Sequence, residues 1–142
     1  MCEPMKMILH GIDLVDFPRI DAMVARHGER FLDRVFTRRE QGDAQAVHNR
    51  VEKLAGRFAA KEAVLKLLGT GWRGKIAWTD IEVTNNSSGQ PKVRMVGEVK
   101  KIADEAGVKQ IALSITHTAN FAIASAVALA EKGQPQTGGL SC

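Results

Sequence analysis

The chain has no tyrosine, and only five phenylalanines and two tryptophans among its 142 residues. So few rings argue against a base-stacking surface for single-stranded nucleic acid. The two cysteines, Cys2 and Cys142, sit at opposite extremes of the sequence. They cannot staple a core and lack metal-ligand spacing, which points to a reducing interior. No apolar run approaches the ~20 residues that cross a bilayer, and no basic-then-apolar leader pattern opens the chain. A soluble, cytoplasmic protein is expected, with no internal repeats.

What is present suits one globular domain over residues 1–131. A Gly-, Gln- and Pro-rich tail over 132–142 reads as disordered. The net charge of +4 suggests an acidic partner: nucleic acid, a phosphorylated small molecule or an acidic protein.

The most informative stretch runs from Arg57 to Gly71. Ala and Leu with Lys61, Glu62 and Lys66 make a strong helix, which Gly69 closes as a left-handed cap and Gly71 follows. Phe58, Glu62 and Lys66 recur every four residues and share one face. A carboxylate and an ammonium thus project beside an apolar strip, just before a glycine turn. Charged helix faces are commonly solvent faces, so the rest of the chain must decide whether Glu62 does more.

Met7 to Val15 reads as a buried strand in which Gly11 marks a bulge or a close backbone approach. Asp13 within it is costly unless paired, hydrogen-bonded or metal-bound, or unless it lies near the strand end and caps the next element. Pro18 opens a helix bearing a row of arginines, Arg19, Arg26 and Arg30 with Arg34 beyond. Such a row suits an acidic docking partner. Thr37 and Glu40 match a capping box, which makes Glu40 structural. Helix resumes from about Ala44 and runs to Leu68. Thr70, Trp72, Arg73 and Gly74 form a loop.

Ile76 to Thr84 alternates as a half-buried strand, and Asn85 to Pro91 turns the chain into Lys92–Val96, its hairpin partner. Gly97 to Gly107 is a short amphipathic helix. Lys109–Ile115 and Phe121–Leu129 are strands, the second so rich in Ala and Val that burial on both faces is expected. Ser114 and His117 stand out near the polar connection between them. The fold class is therefore α+β, a mostly antiparallel sheet packed with a long central helix.

Three segments resemble, in order and spacing, the signatures of the holo-acyl-carrier-protein synthases, the small trimeric class of 4′-phosphopantetheinyl transferases. They are His10-Gly11-Ile12-Asp13-Leu14-Val15 with Arg19-Ile20, Gly56 to Ala63 with Lys66 and Gly69-Thr70-Gly71, and Ser114-Ile115-Thr116-His117. The hairpin turn Gly89-Gln90-Pro91 is similar to that family's Gly-Lys-Pro. Leu67-Leu68 departs from the commoner small-aromatic pair before the glycines.

The resemblance implies transfer of phosphopantetheine from coenzyme A to a serine of an apo acyl carrier protein, with release of adenosine 3′,5′-bisphosphate. It implies Mg²⁺, or alternatively Mn²⁺, at Asp13 and Glu62, an ion that takes one or two carboxylates and fills its octahedron with phosphate oxygens and water. Lys66 would balance phosphate charge. Gly69 and Gly71 would let backbone approach the nucleotide, and Ser114 and His117 would contact the coenzyme, His117 meeting a phosphate or aiding proton transfer, with phosphate contact favoured. Glu62 is the nearest candidate for the carrier serine's proton. Arg19, Arg26 and Arg30 would dock the carrier. The family's sites lie between subunits of a homotrimer, Asp13 and Glu62 on one side and the arginine helix on the other.

Three rivals explain less. A basic nucleic-acid module leaves Asp13 and Glu62 without a purpose. A two-metal phosphohydrolase would want more carboxylates. A nucleophilic Ser114–His117 pair, three residues apart at a strand end, would face in opposite directions with no acid to orient it.

Overall fold

The computed structural model describes residues 5–71 and 74–132. The cysteines, Trp72, Arg73 and the tail beyond Lys132 lie outside the described residues. Strand β1 (Met5–Asp16) leads directly into helix α1 (Phe17–His27), with Pro18 in its first turn. Gly28, at φ +53°, ends α1 and starts α2 (Glu29–Val35). Then come α3 (Arg38–Gln45), α4 (Arg50–Leu68), the hairpin β2 (Ile81–Asn85) and β3 (Pro91–Met95), α5 (Gly97–Glu105), β4 (Ala112–His117) and β5 (Phe121–Lys132).

β5 lies between β1 and β4, antiparallel to both, in a three-stranded sheet, while β2 and β3 pair separately. The 19-residue helix α4 packs across the inner face of the sheet. Small residues make that contact close. Ala122, Ala124, Ala126 and Ala128 of β5 and Ala55, Ala59, Ala60 and Ala63 of α4 are all buried. At the crossing, a Cβ on Gly11 would overlap the Ala63 carbonyl oxygen and sit 2.7 Å from the Leu67 nitrogen. The expected close approach is therefore a β1–α4 contact that glycine alone permits.

Several expectations need correction. The middle of the chain is not one helix from Ala44. It breaks at residues 46–49, where His48 and Asn49 are weak helix formers, and the break lets α3 fold back against α4. The alternation from Ile76 does not begin a strand until Ile81. Residues Trp78–Asp80 form a 3-10 turn, because the Asp80 carboxylate accepts from the Ala77 amide at 3.2 Å and closes it. β5 is not covered on both sides within one chain. Its alanines face α4, while Phe121, Val127 and Leu129 are exposed on the outer face beside Ile8, Ile12 and Leu14 of β1. The capping box is present in full: the Thr37 amide donates to Glu40 Oε1 at 2.9 Å, and the Glu40 amide to Thr37 Oγ1 at 3.2 Å.

Candidate active site

Side-chain parity on β1 places Gly11, Asp13 and Val15 on the face toward α4, and there Asp13 meets Lys66. Lys66 Nζ donates to Asp13 Oδ1 at 3.0 Å and to the Ile12 carbonyl at 3.1 Å. Asp13 is 16% exposed and Lys66 55%, so the pair forms the wall of an opening rather than part of the core. Asp13 caps no helix, since Asp16 takes the N-cap position of α1. Glu62, half-buried, stands one turn before Lys66 on α4. Gly69 closes the helix at φ +75° and Gly71 follows at φ +59°, both in the left-handed region that side chains avoid. Among the described residues no group of three or more His, Cys, Asp or Glu gathers as a metal cage. Two carboxylates with an ammonium are what remains, a donor set suited to an ion that completes its shell with substrate and water.

A cleft of 220 Å³ opens at the other end of α4, between that helix, the β2–β3 turn and β4. Lys53, Gly56, Arg57, Asn85, Pro91 and His117 are among its lining residues. Arg57 is only 4% exposed. Its Nη2 donates to Asn85 Oδ1 at 3.1 Å, while its Nε is buried with no hydrogen-bond partner in the protein. Burial holds the Arg57 pKa below its ordinary value, against the opposing pull of Glu40 and Asp43. Lys53, Arg57 and His117 outweigh Glu52 among the lining residues and favour an anion in the cleft.

His117 is the last residue of β4 rather than part of a turn. Ser114, three residues earlier, is exposed and projects from the opposite face of the sheet. The two therefore do not form a nucleophilic pair, and only His117 lines the cleft. The cleft that His117 lines does not include Asp13, Glu62 or Lys66 among its described residues, and Arg57 and Lys66 are separated by about 13 Å of helical rise on α4.

Between these two regions lies a buried ion pair. Lys61 Nζ is 2.7 Å from Glu40 Oε1, and both side chains are fully buried. The ammonium also donates to the carbonyls of Val35 at 2.7 Å and Trp78 at 3.1 Å. Glu40 Oε2 accepts from the Val83 amide at 2.9 Å. Burial lowers the Lys61 pKa, and Glu40 counters it.

The arginine row does not lie on one helix. Arg19 and Arg26 belong to α1, whereas Arg30 lies beyond Gly28 on α2; all three are exposed. The Arg19 guanidinium sits 5.3 Å from the centroid of the Phe58 ring, which stacks on Trp78 at 4.9 Å. Arg19 thus borders the stretch of α4 that carries Glu62, within the same chain.

The family model of the 4′-phosphopantetheinyl transferase superfamily matches residues 10–126. The chain belongs to this superfamily. The match spans β1 to β5 and includes both regions just described. Among transferases of known name, the chain is similar to the holo-acyl-carrier-protein synthase of Halothermothrix orenii, 47% identical over 117 residues that cover 82% of this chain and 93% of that protein. Its fold is similar to the crystal structure of the same enzyme from Neisseria meningitidis, with a TM-score of 0.79 and 32% identity over 86% of this chain and 98% of that one. It is also similar to the Helicobacter pylori enzyme in complex with coenzyme A, with a TM-score of 0.74 and 31% identity, covering 86% and 99%.

Sequence reasoning about this transferase passed over Arg57, Lys53, Asn85 and the Glu40–Lys61 pair. One signal was available. Arg57 and Lys61 stand four residues apart on a helix whose neighbouring positions are almost all apolar, and a charge on such a face must find a partner inside.

Proposed function

We propose that this protein moves the 4′-phosphopantetheine group of coenzyme A onto a serine of an apo acyl carrier protein, leaving adenosine 3′,5′-bisphosphate. The observation that carries this reading is the Lys66 ammonium held against Asp13, with Glu62 one turn away, at the glycine-closed end of α4. Phosphoryl transfer asks the protein mainly for positioning and for charge of this kind.

In the reaction the serine oxygen forms a bond to the phosphorus on the pantetheine side of the coenzyme's pyrophosphate. The bond from that phosphorus to the bridging oxygen breaks, and the nucleotide leaves with that oxygen. The serine proton passes to Glu62 or to a water that Glu62 holds. Lys66 offsets charge on the pyrophosphate. Arg57, Lys53 and His117 take the phosphorylated nucleotide end in the cleft, His117 by contact with a phosphate, and Gly69 and Gly71 keep the backbone bare where the coenzyme passes. Arg19, Arg26 and Arg30 meet the acidic surface of the carrier, and Ser114 has a place on the coenzyme's path only at a boundary between subunits.

Asp13 and Glu62 fit Mg²⁺, or Mn²⁺ in its place: both supply oxygen donors at the edge of the core, and substrate phosphates and water would complete the shell. When bound, the ion neutralises charge on the pyrophosphate.

The separation of the acid pair from the cleft, and the apolar outer face of the sheet, favour active sites closed between subunits of a homotrimer. The acids of one subunit would face the cleft of the next. No described helix is long and apolar enough to cross a membrane, and action in the cytoplasm fits the carrier substrate.

The test is intact-mass analysis of an apo acyl carrier protein incubated with this protein, coenzyme A and Mg²⁺, beside an EDTA control. The expected result is a gain of one phosphopantetheine group that EDTA abolishes. No gain with several carriers would overturn the reading, and a gain that persists in EDTA would remove the metal from it.

A further inference from the structure

The reaction just proposed leaves one buried constellation unused. All three protons of the Lys61 ammonium are taken, by Glu40, Val35 and Trp78. Glu40 in turn holds the Thr37 amide and the Val83 amide. One ion pair therefore ties together the end of α2, the start of α3, the middle of α4, the 3-10 turn and β2. Apolar side chains of similar volume would often serve stability as well or better, because two buried charges carry a desolvation cost. Stability alone is thus a poor reason for the pair to be there.

Its location offers another. Val83 lies two residues before Asn85 on the same strand and the same side. Asn85 accepts from Arg57 and donates to the Gly89 carbonyl, so it joins the helical wall of the cleft to the hairpin wall. Arg57 itself stands one turn before Lys61 on α4. Among the described residues the β2–β3 hairpin has no ladder to the main sheet; Ile81 and Val83 pack it into the core, and its polar ties are Arg57–Asn85 at the cleft and, behind it, Glu40–Val83, joined to α4 through Lys61.

We infer that Glu40 and Lys61 are positioning residues for coenzyme binding, a polar clamp that fixes the hairpin wall against α4 so that Arg57, Asn85 and His117 converge on the nucleotide end of the coenzyme. Neither touches substrate. The inference rests on the proposed coenzyme cleft and deepens it: affinity for the coenzyme, rather than for the carrier, depends on the clamp.

The test compares wild type with the double variant Glu40→Leu/Lys61→Met, which removes both charges together and leaves no stranded ion. Coenzyme A affinity is read by calorimetric titration without carrier, next to thermal midpoint and steady-state KM for each substrate. The expected result is a folded protein whose midpoint falls because the Thr37 and Val83 amides lose their acceptor, a coenzyme Kd raised about tenfold, the size of one net hydrogen bond lost from the bound state, and an unchanged carrier KM. A folded double variant that binds the coenzyme as wild type does would overturn the clamp. Amide exchange at Val83 in the wild-type protein adds a readout without mutation: coenzyme A should slow it, and no change would count against the clamp. Failure of the wild-type protein itself to bind coenzyme A would instead remove the cleft assignment.

Discussion

Lys66 spans from α4 to β1 and holds Asp13 at 3.0 Å while more than half of its own side chain stays in solvent. A pair so exposed contributes roughly 0–1 kcal/mol to stability. Removing Asp13 should therefore leave the fold intact. In the proposed reaction the same carboxylate, with Glu62, stands where charge builds up during transfer. Asp13→Ala and Glu62→Ala should each lower kcat by about 10²–10³-fold or more, with an unchanged thermal midpoint. Wild-type rates in either variant would remove that residue from the reaction, and the two-carboxylate metal assignment with it.

Arg19 supports a second prediction. Its guanidinium lies over the Phe58 ring, an exposed contact worth about 0.5–1 kcal/mol, which holds the charge in place rather than adding much stability. Arg19→Glu should raise the KM for the carrier well above any change in the KM for coenzyme A, and added salt should narrow the gap between variant and wild type. Equal effects on both substrates would sink the docking role.

Much of this architecture was legible in the sequence, and the failures share a cause. Periodicity located β1, the hairpin and α5, and Gly11 in an apolar run correctly signalled a close backbone contact. Asp13 was noticed because a carboxylate in such a strand must be paired. What could not be read was which partner a charge finds inside. Lys61 and Glu62 are neighbours in sequence, yet about 100° of helical turn separates their directions, sending one into the core and the other toward the opening. Lys61 looked like a helix former because propensity is local, while its partner Glu40 arrives from another helix 21 residues away. Arg57 escaped for the same reason, its partner Asn85 lying 28 residues on. The break after α3 and the 3-10 turn at Trp78 are likewise imposed by packing that no short window contains.

His117 allows a third prediction, because its place in the cleft separates binding from chemistry. It lines the cleft beside Arg57, and Asp13, Glu62 and Lys66 are not among that cleft's lining residues. His117→Ala should raise the KM for coenzyme A about tenfold, as expected for one lost hydrogen bond to a charged group, with kcat within a few-fold of wild type. A fall in kcat with unchanged KM would instead make His117 a proton carrier.

The outer face of the sheet carries the last prediction. Ile8 and Leu129 are cross-strand partners in the β1–β5 register, and they are 75% and 51% exposed. With Ile12, Leu14 and Val127 they make a largely apolar surface on a single chain, crossed by the His10–Ser125 hydrogen bond, the kind of patch that marks an interface. Each such side chain, once covered, stabilises an assembly by about 1.5–3 kcal/mol. In an isolated subunit a charge at Leu129 costs the fold little, within about 0.5 kcal/mol for an exposed position. In the proposed homotrimer, Leu129→Arg should therefore separate the subunits without unfolding them, which sedimentation velocity and circular dichroism would report separately. If the acids of one subunit serve the cleft of the next, transfer should fall in step with dissociation and return as protein concentration rises. A Leu129→Arg protein that remains assembled, or a dissociated one that is fully active, would remove the intersubunit site.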